Sequence, residues 1–134
     1  MIRSLHHIGI AVRDVEQASA FYAERLGITA APVESPPGST LRFALISMPG
    51  AALEFIAPAA DETPITRFLD RRGPGVHHIA FSVGDIKAAM SVAAQRGLKS
   101  LTEEPQPGVG GHLTCFFHPA DTLGVLVEYV EDSS

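Results

Sequence analysis

Apolar and polar positions alternate along two stretches of this chain that nearly copy one another. Leu5-His6-His7-Ile8-Gly9-Ile10-Ala11-Val12 returns as Val76-His77-His78-Ile79-Ala80-Phe81-Ser82-Val83. Both are rich in β-branched residues and free of proline, which predicts strands. Asp14 stands three residues before Gln17, a capping-box pattern, and opens a helix whose apolar face is Val15, Ala18, Phe21, Tyr22 and Leu26, with Gly27 as its stop. After a loop with Pro32, Pro36, Pro37 and Gly38, Leu41 to Met48 and Ala52 to Ala57 read as a hairpin turned at Pro49-Gly50. Thr63-Pro64 caps a short connecting helix over Pro64–Arg72, stopped by Gly73.

The second half repeats the order. Asp85 opens a helix through Ile86, Ala89, Met90 and Ala93 that stops at Gly97. A short strand follows near Leu98–Leu101, then a loop holding Pro105, Pro107, Gly108, Gly110 and Gly111, then strands at His112–Phe117 and Gly124–Val130. The pattern predicts an α+β fold of two βαβββ modules in tandem that line a metal-binding cleft. It implies a single domain over residues 1–134, with module one about 1–60, the connecting helix about 63–73 and module two about 75–131.

A second echo pairs Leu53-Glu54-Phe55-Ile56 with Val127-Glu128-Tyr129-Val130. The histidines of the first echo are 71 residues apart (7 to 78) and the glutamates of the second 74 (54 to 128), so each module offers one histidine and one glutamate at equivalent places. Side chains alternate across a strand, so His7 shares a face with Gly9 and Ala11, and His78 with Ala80 and Ser82. The bulky faces, carrying His6 and His77, should pack under the helices. The small-residue faces leave room beside His7 and His78. Glu54 and Glu128 each interrupt an apolar strand, where a buried carboxylate is costly unless paired or bound to metal. Two imidazole nitrogens and two carboxylate oxygens suit one divalent ion per subunit, such as Zn, Co, Ni or Mn, without choosing among them.

Other features leave alternatives open. Gly108-Val109-Gly110-Gly111 could cradle a phosphate through backbone N–H groups, or serve as a plain flexible loop; it matches no P-loop or dinucleotide fingerprint. His118, before Pro119, could stand at a pocket mouth or in a simple turn. Cys115 lies mid-strand among aromatics and reads as inert core.

Composition narrows the class. At 46% apolar and 19% charged residues the chain is a folded globule, and its net charge of −5 makes nucleic acid a poor partner. No run approaches the roughly 20 apolar residues of a membrane span. The single cysteine excludes an internal disulfide framework and fits a reducing compartment, and no signal peptide follows Met1, so a cytoplasmic location is expected. Sheet edges in a domain of this size predict a homodimer.

The His-His-Ile-Gly-Ile-Ala-Val run, the following Asp-Val and the Phe-Tyr helix ending in Leu-Gly resemble the vicinal oxygen chelate superfamily. Within it, Asp61 to Leu69, Gly75 to Phe81, Glu103-Glu104-Pro105 with Gly108 to Gly111, and Phe117-His118-Pro119 through Gly124 to Glu128 resemble the methylmalonyl-CoA epimerase family. The resemblance implies metal ligands at His7, Glu54, His78 and Glu128, a dimer, an acyl-CoA substrate, and epimerisation by proton transfer at the carbon α to the thioester carbonyl, with Glu128 as one proton carrier. In that family a second glutamate lies on the first-module strand after the Pro-rich loop. Here that strand reads Thr40-Leu41-Arg42-Phe43-Ala44-Leu45, with Phe43 or Leu41 in its place. Arg42, Phe43, Gly110, Gly111 and His118 are then the candidate substrate contacts, Arg42 as a contact for an anion. The alternatives are a glyoxalase-I-like metal-dependent lyase using the same four ligands, and a non-catalytic small-molecule-binding protein of the same fold.

Overall fold

The structure, a computed structural model, describes residues 1–132 apart from the Val109 side chain. The chain divides into two compact units, one of Ile8–His77 and the other of Met1–His7 with the chain from His78 on. Strand β1 (Ile2–Ala11) starts in the second and continues into the first.

The Ile8–His77 unit continues with α1 (Val15–Leu26), β2 (Leu41–Ile46), β3 (Ala52–Pro58) and α2 (Pro64–Arg72). Each helix begins where local chemistry dictates. The Asp14 side chain accepts the Gln17 N–H at the start of α1, and Thr63 accepts that of Thr66 at the start of α2, with Pro64 at the first helical position. Gly27 ends α1 with φ 70°, a left-handed conformation that costs glycine little, and its N–H returns to the Ala23 carbonyl. Strands β2 and β3 pair antiparallel, Phe43 opposite Ile56 and Leu45 opposite Glu54, and the strand order is β2-β3-β1. Two apolar clusters hold this unit. Val12, Val15, Ala44, Ile46, Phe55 and Ala57 pack with Ile10 and Tyr22 on the α1 side; Ala11, Ile56, Ile65 and Leu69 pack with Leu41 and Phe68 on the α2 side. The bulky face of β1 lies under its helix, as the alternation predicts.

The other unit holds the start of β1, then β4 (Gly75–Val83), α3 (Ile86–Gln95), β5 (Gln106–Pro107), β6 (Leu113–Phe116) and β7 (Val127–Glu131). Its strand order is β1-β4-β7-β6-β5. β4 and β7 run parallel, with Ala80 opposite Glu128, and β6 pairs antiparallel with β7, with Phe116 opposite Glu128. Asp85 caps α3 by accepting the Ala88 N–H. The core here is Val83, Ile86, Ala89, Ala93, Cys115 and Phe117, with Met90, Leu98, Val127 and Tyr129 against it. Burial pushes the Cys115 thiol up to about 11 and keeps it protonated, in keeping with inert core.

The α+β fold of two βαβ-based modules is present, and its departures from expectation have local causes. A strand near Leu98–Leu101 does not form; only an isolated bridge, Ser100 to Phe117, marks it. There the Ser100 hydroxyl donates to the Thr102 carbonyl and accepts the Thr102 N–H, which gives the backbone a turn in place of a ladder. The last strand starts at Val127, not Gly124, because the Gly124 N–H is used in a turn onto the Pro119 carbonyl. In module one the Pro-rich loop leaves one bridge, Glu34 to Phe43, where a further strand would run, since proline has no N–H for a ladder.

The two aspartates cap different helices and share no partner. Asp14→Ala and Asp85→Ala should each lower stability by about 1 kcal/mol, and the double variant by about 2 kcal/mol. Urea unfolding with an unchanged m-value is the measurement.

Candidate metal centre

Three neighbouring strands of one unit aim ligand atoms at a common point. His7 comes from β1, His78 from β4 and Glu128 from β7, and all three are buried, at 4%, 3% and 6% exposure. Along β4 the side chains of His78, Ala80 and Ser82 are buried together, so the small residues lie on the histidine's face. Glu128 is brought there by its register, between Ala80 on one side and Phe116 on the other. The Phe116 ring meets the His78 ring edge-on at 5.6 Å and walls the cluster with apolar surface.

The His7 Nε2 lies 3.0 Å from the His78 Nε2 and 3.2 Å from the Glu128 Oε1, and the His78 Nε2 lies 3.4 Å from that oxygen. Glu128 Oε1 is buried and takes part in no hydrogen bond among the described residues. Such an atom is costly to desolvate unless something else compensates it. Ligand atoms bound to a divalent ion at about 2.1 Å, with tetrahedral or octahedral angles, lie about 3.0–3.4 Å from one another. The triad has that spacing, so these residues fit a divalent metal ion.

Glu54, the other glutamate of the echo, belongs to the Ile8–His77 unit. It sits on β3 at 2% exposure, between Leu53 and Phe55 in sequence and opposite Leu45.

The candidate substrate contacts fall in varied surroundings. Arg42 is paired through both terminal nitrogens with the Glu16 carboxylate of α1, on the surface. Phe43 is buried. Gly110 and Gly111 form a tight 3-10 turn at positive φ, closed by the Gly111 N–H on the Gly108 carbonyl. His118 is exposed, and its Nδ1 accepts the Ala120 N–H, so it caps the turn at Pro119–Asp121.

Two residues were not picked out by pattern. Glu34 exchanges both backbone hydrogen bonds with Phe43, at 2.8 and 2.9 Å. Directly opposed residues of an antiparallel pair project to the same side, so a carboxylate projects on the Phe43 side of β2 although β2 itself carries none. His6, expected on the packed face with Ile8, has its Nδ1 2.7 Å from the His7 Nδ1. Burial, followed by the neighbouring His7, holds the His6 pKa below its ordinary value. His77 does pack, edge-on against Phe68 at 5.1 Å. Among the described residues no helix is long and apolar enough to cross a membrane.

Residues 6–116 match the model of the glyoxalase/bleomycin resistance protein/dioxygenase superfamily. The chain is 35% identical over 130 residues to the ethylmalonyl-CoA/methylmalonyl-CoA epimerase of Cereibacter sphaeroides, covering 96% of this chain and 97% of that protein. The crystal structure of methylmalonyl-CoA epimerase from Mycobacterium tuberculosis superposes with a TM-score of 0.91 at 33% identity, covering 99% of this chain and 90% of that one. A variant of Streptomyces coelicolor methylmalonyl-CoA epimerase in complex with 2-nitronate-propionyl-CoA gives a TM-score of 0.93 at 28% identity, over 100% of this chain and 97% of that one. With the family model matched over most of its length, this chain belongs to the glyoxalase/bleomycin resistance protein/dioxygenase superfamily and is similar within it to methylmalonyl-CoA epimerases.

Proposed function

We propose that this protein is a metal-dependent epimerase that moves a proton at the carbon α to the thioester carbonyl of an acyl-CoA such as methylmalonyl-CoA. The observation that carries the reading is the convergence of the His7, His78 and Glu128 ligand atoms at chelating distances, in a chain similar to methylmalonyl-CoA epimerases. His7, Glu54, His78 and Glu128 would hold one divalent ion, Zn, Co, Ni or Mn; the nitrogen and carboxylate donors and their burial support this set. The ion would supply Lewis-acid stabilisation of the negative charge that gathers on the thioester oxygen as the proton leaves.

The chain's own residues move the proton. Glu128 takes it from the α-carbon: the C–H bond breaks, its electron pair enters the thioester carbonyl, and the carboxylate becomes a carboxylic acid. A buried carboxylate beside apolar Phe116 suits this work, since water does not compete for it. Inversion then needs a proton delivered to the opposite face of the carbon. Glu34 is the proposed donor, because its pairing with Phe43 supplies the acid that β2 lacks. Its exposure lets it regain a proton from solvent.

The same reading takes residues 1–134 as one domain of modules about 1–60 and 75–131 joined by the helix within 63–73. It places Arg42, Phe43, Gly110, Gly111 and His118 around the substrate, and includes a homodimer that would cover exposed apolar side chains such as Phe21 and Val76. A cytoplasmic location fits the single protonated cysteine.

A single-epimer methylmalonyl thioester in deuterated solvent tests the chemistry. The wild-type protein should racemise it with deuterium entering at the α-carbon. Glu128→Gln, which keeps an oxygen but no proton carrier, should lose exchange in at least one stereochemical direction. Glu34→Gln should slow racemisation by about 10²-fold or more while sparing exchange of one epimer. Full racemisation by the Glu128→Gln protein would end the assignment.

The metal is tested separately. His78→Ala should lose bound metal and activity together, and the rise in Tm that metal gives the wild-type protein should vanish with them. Metal analysis by mass spectrometry and a thermal scan with and without added ion read both. Full stoichiometric metal in the active variant would refute the ligand set.

A further inference from the structure

The clearest polar contact outside the ligand set is between adjacent histidines. We infer that His6 is a positioning residue that fixes the tautomer and orientation of His7 for metal binding, an inference that rests on the proposed metal centre.

The two Nδ1 atoms are 2.7 Å apart, within one unit and partly buried. At that separation one nitrogen must carry the hydrogen and the other must accept it. The His7 Nε2 is the atom aimed at His78 and Glu128. A metal-binding imidazole nitrogen is bare, so a neutral His7 carries its proton on Nδ1. His6 therefore accepts through its own Nδ1 and keeps its proton on Nε2. That nitrogen faces the Asp132 carboxylate, 3.9 Å away, where the charge favours a donor. The two rings stand at 75° to one another with centroids 5.0 Å apart. The His112 ring lies 6.4 Å from that of His6, at 67° to it.

The order Asp132, His6, His7 thus selects the His7 tautomer with a free Nε2. Partners of this kind beyond the ligands hold the ring in place and raise its basicity, and their loss typically weakens metal binding about 10–100-fold. Alternation along β1 assigns His6 to the opposite face from His7. The two Nδ1 atoms nevertheless meet at 2.7 Å.

The test is the affinity of the purified protein for Zn²⁺ and Co²⁺, measured by competition with a chromophoric chelator. His6→Ala should bind about 10–100-fold more weakly than the wild type. His6→Asn offers an amide oxygen to the His7 Nδ1–H and should recover most of that loss. A merely structural role would instead lower the metal-free Tm of both variants without separating their affinities. Histidine ¹⁵N spectra of the zinc-loaded wild-type protein read the tautomers directly, whatever the variants do. His7 protonated at Nδ1 and His6 at Nε2 is the expected result. Wild-type affinity in His6→Ala, equal losses in both variants, or a His6 protonated at Nδ1 would each overturn the inference while leaving the metal centre standing. A wild-type protein that binds neither ion would remove the metal centre, and this inference with it.

Discussion

The site is governed by the burial of one carboxylate oxygen between two imidazole nitrogens. Glu128 Oε1 lies within 3.4 Å of both His7 Nε2 and His78 Nε2, with apolar Phe116 alongside and no hydrogen bond among the described residues. A charge in such surroundings is costly unless a counter-charge shares the space. A cation on all three atoms would offset the cost.

What brings the three atoms together is strand register. β1, β4 and β7 are neighbours, and the parallel pairing of β4 with β7 sets Glu128 beside Ala80, two residues beyond His78. Small residues on that face matter as much as the ligands. Gly9 and Ala11 on β1, and Ala80 and Ser82 on β4, are buried and small. The opposite faces carry the load of folding, Ile10 and Val12 in the α1 cluster and Val83 in the α3 cluster. The two-residue period of the side chains thus sets the histidines apart from the bulkiest core residues, although Ala11 on the His7 face also packs in the α2-side cluster.

The single bridge between Glu34 and Phe43 is a backbone contact with a chemical consequence for β2. It puts an acidic residue on the edge of β2 by backbone pairing across the proline-rich loop, where the strand's own sequence, Leu41-Arg42-Phe43-Ala44-Leu45-Ile46, offers no carboxylate. Arg42 is meanwhile held by Glu16 at the surface, so its charge is already balanced.

The local elements were legible from the sequence alone because their causes are local. Asp14, Thr63 and Asp85 each accept an N–H three residues on, Gly27 and Gly73 end their helices, and α2 runs over Pro64–Arg72 as its cap and stop require. The internal repeat and the strand period also selected the buried His7, Glu54, His78 and Glu128, because repetition reveals equivalent places without any knowledge of packing. The tertiary structure alone decided the rest. Whether the backbone near Ser100 would pair or turn depended on competition between a hydroxyl and a distant strand. Which carboxylate would face Phe43 depended on how a loop closes, and the meeting of His6 with His7 depended on side-chain torsions that alternation does not describe. A strand pattern specifies the face a residue takes, whereas contacts between adjacent side chains and across a loop are chosen by packing.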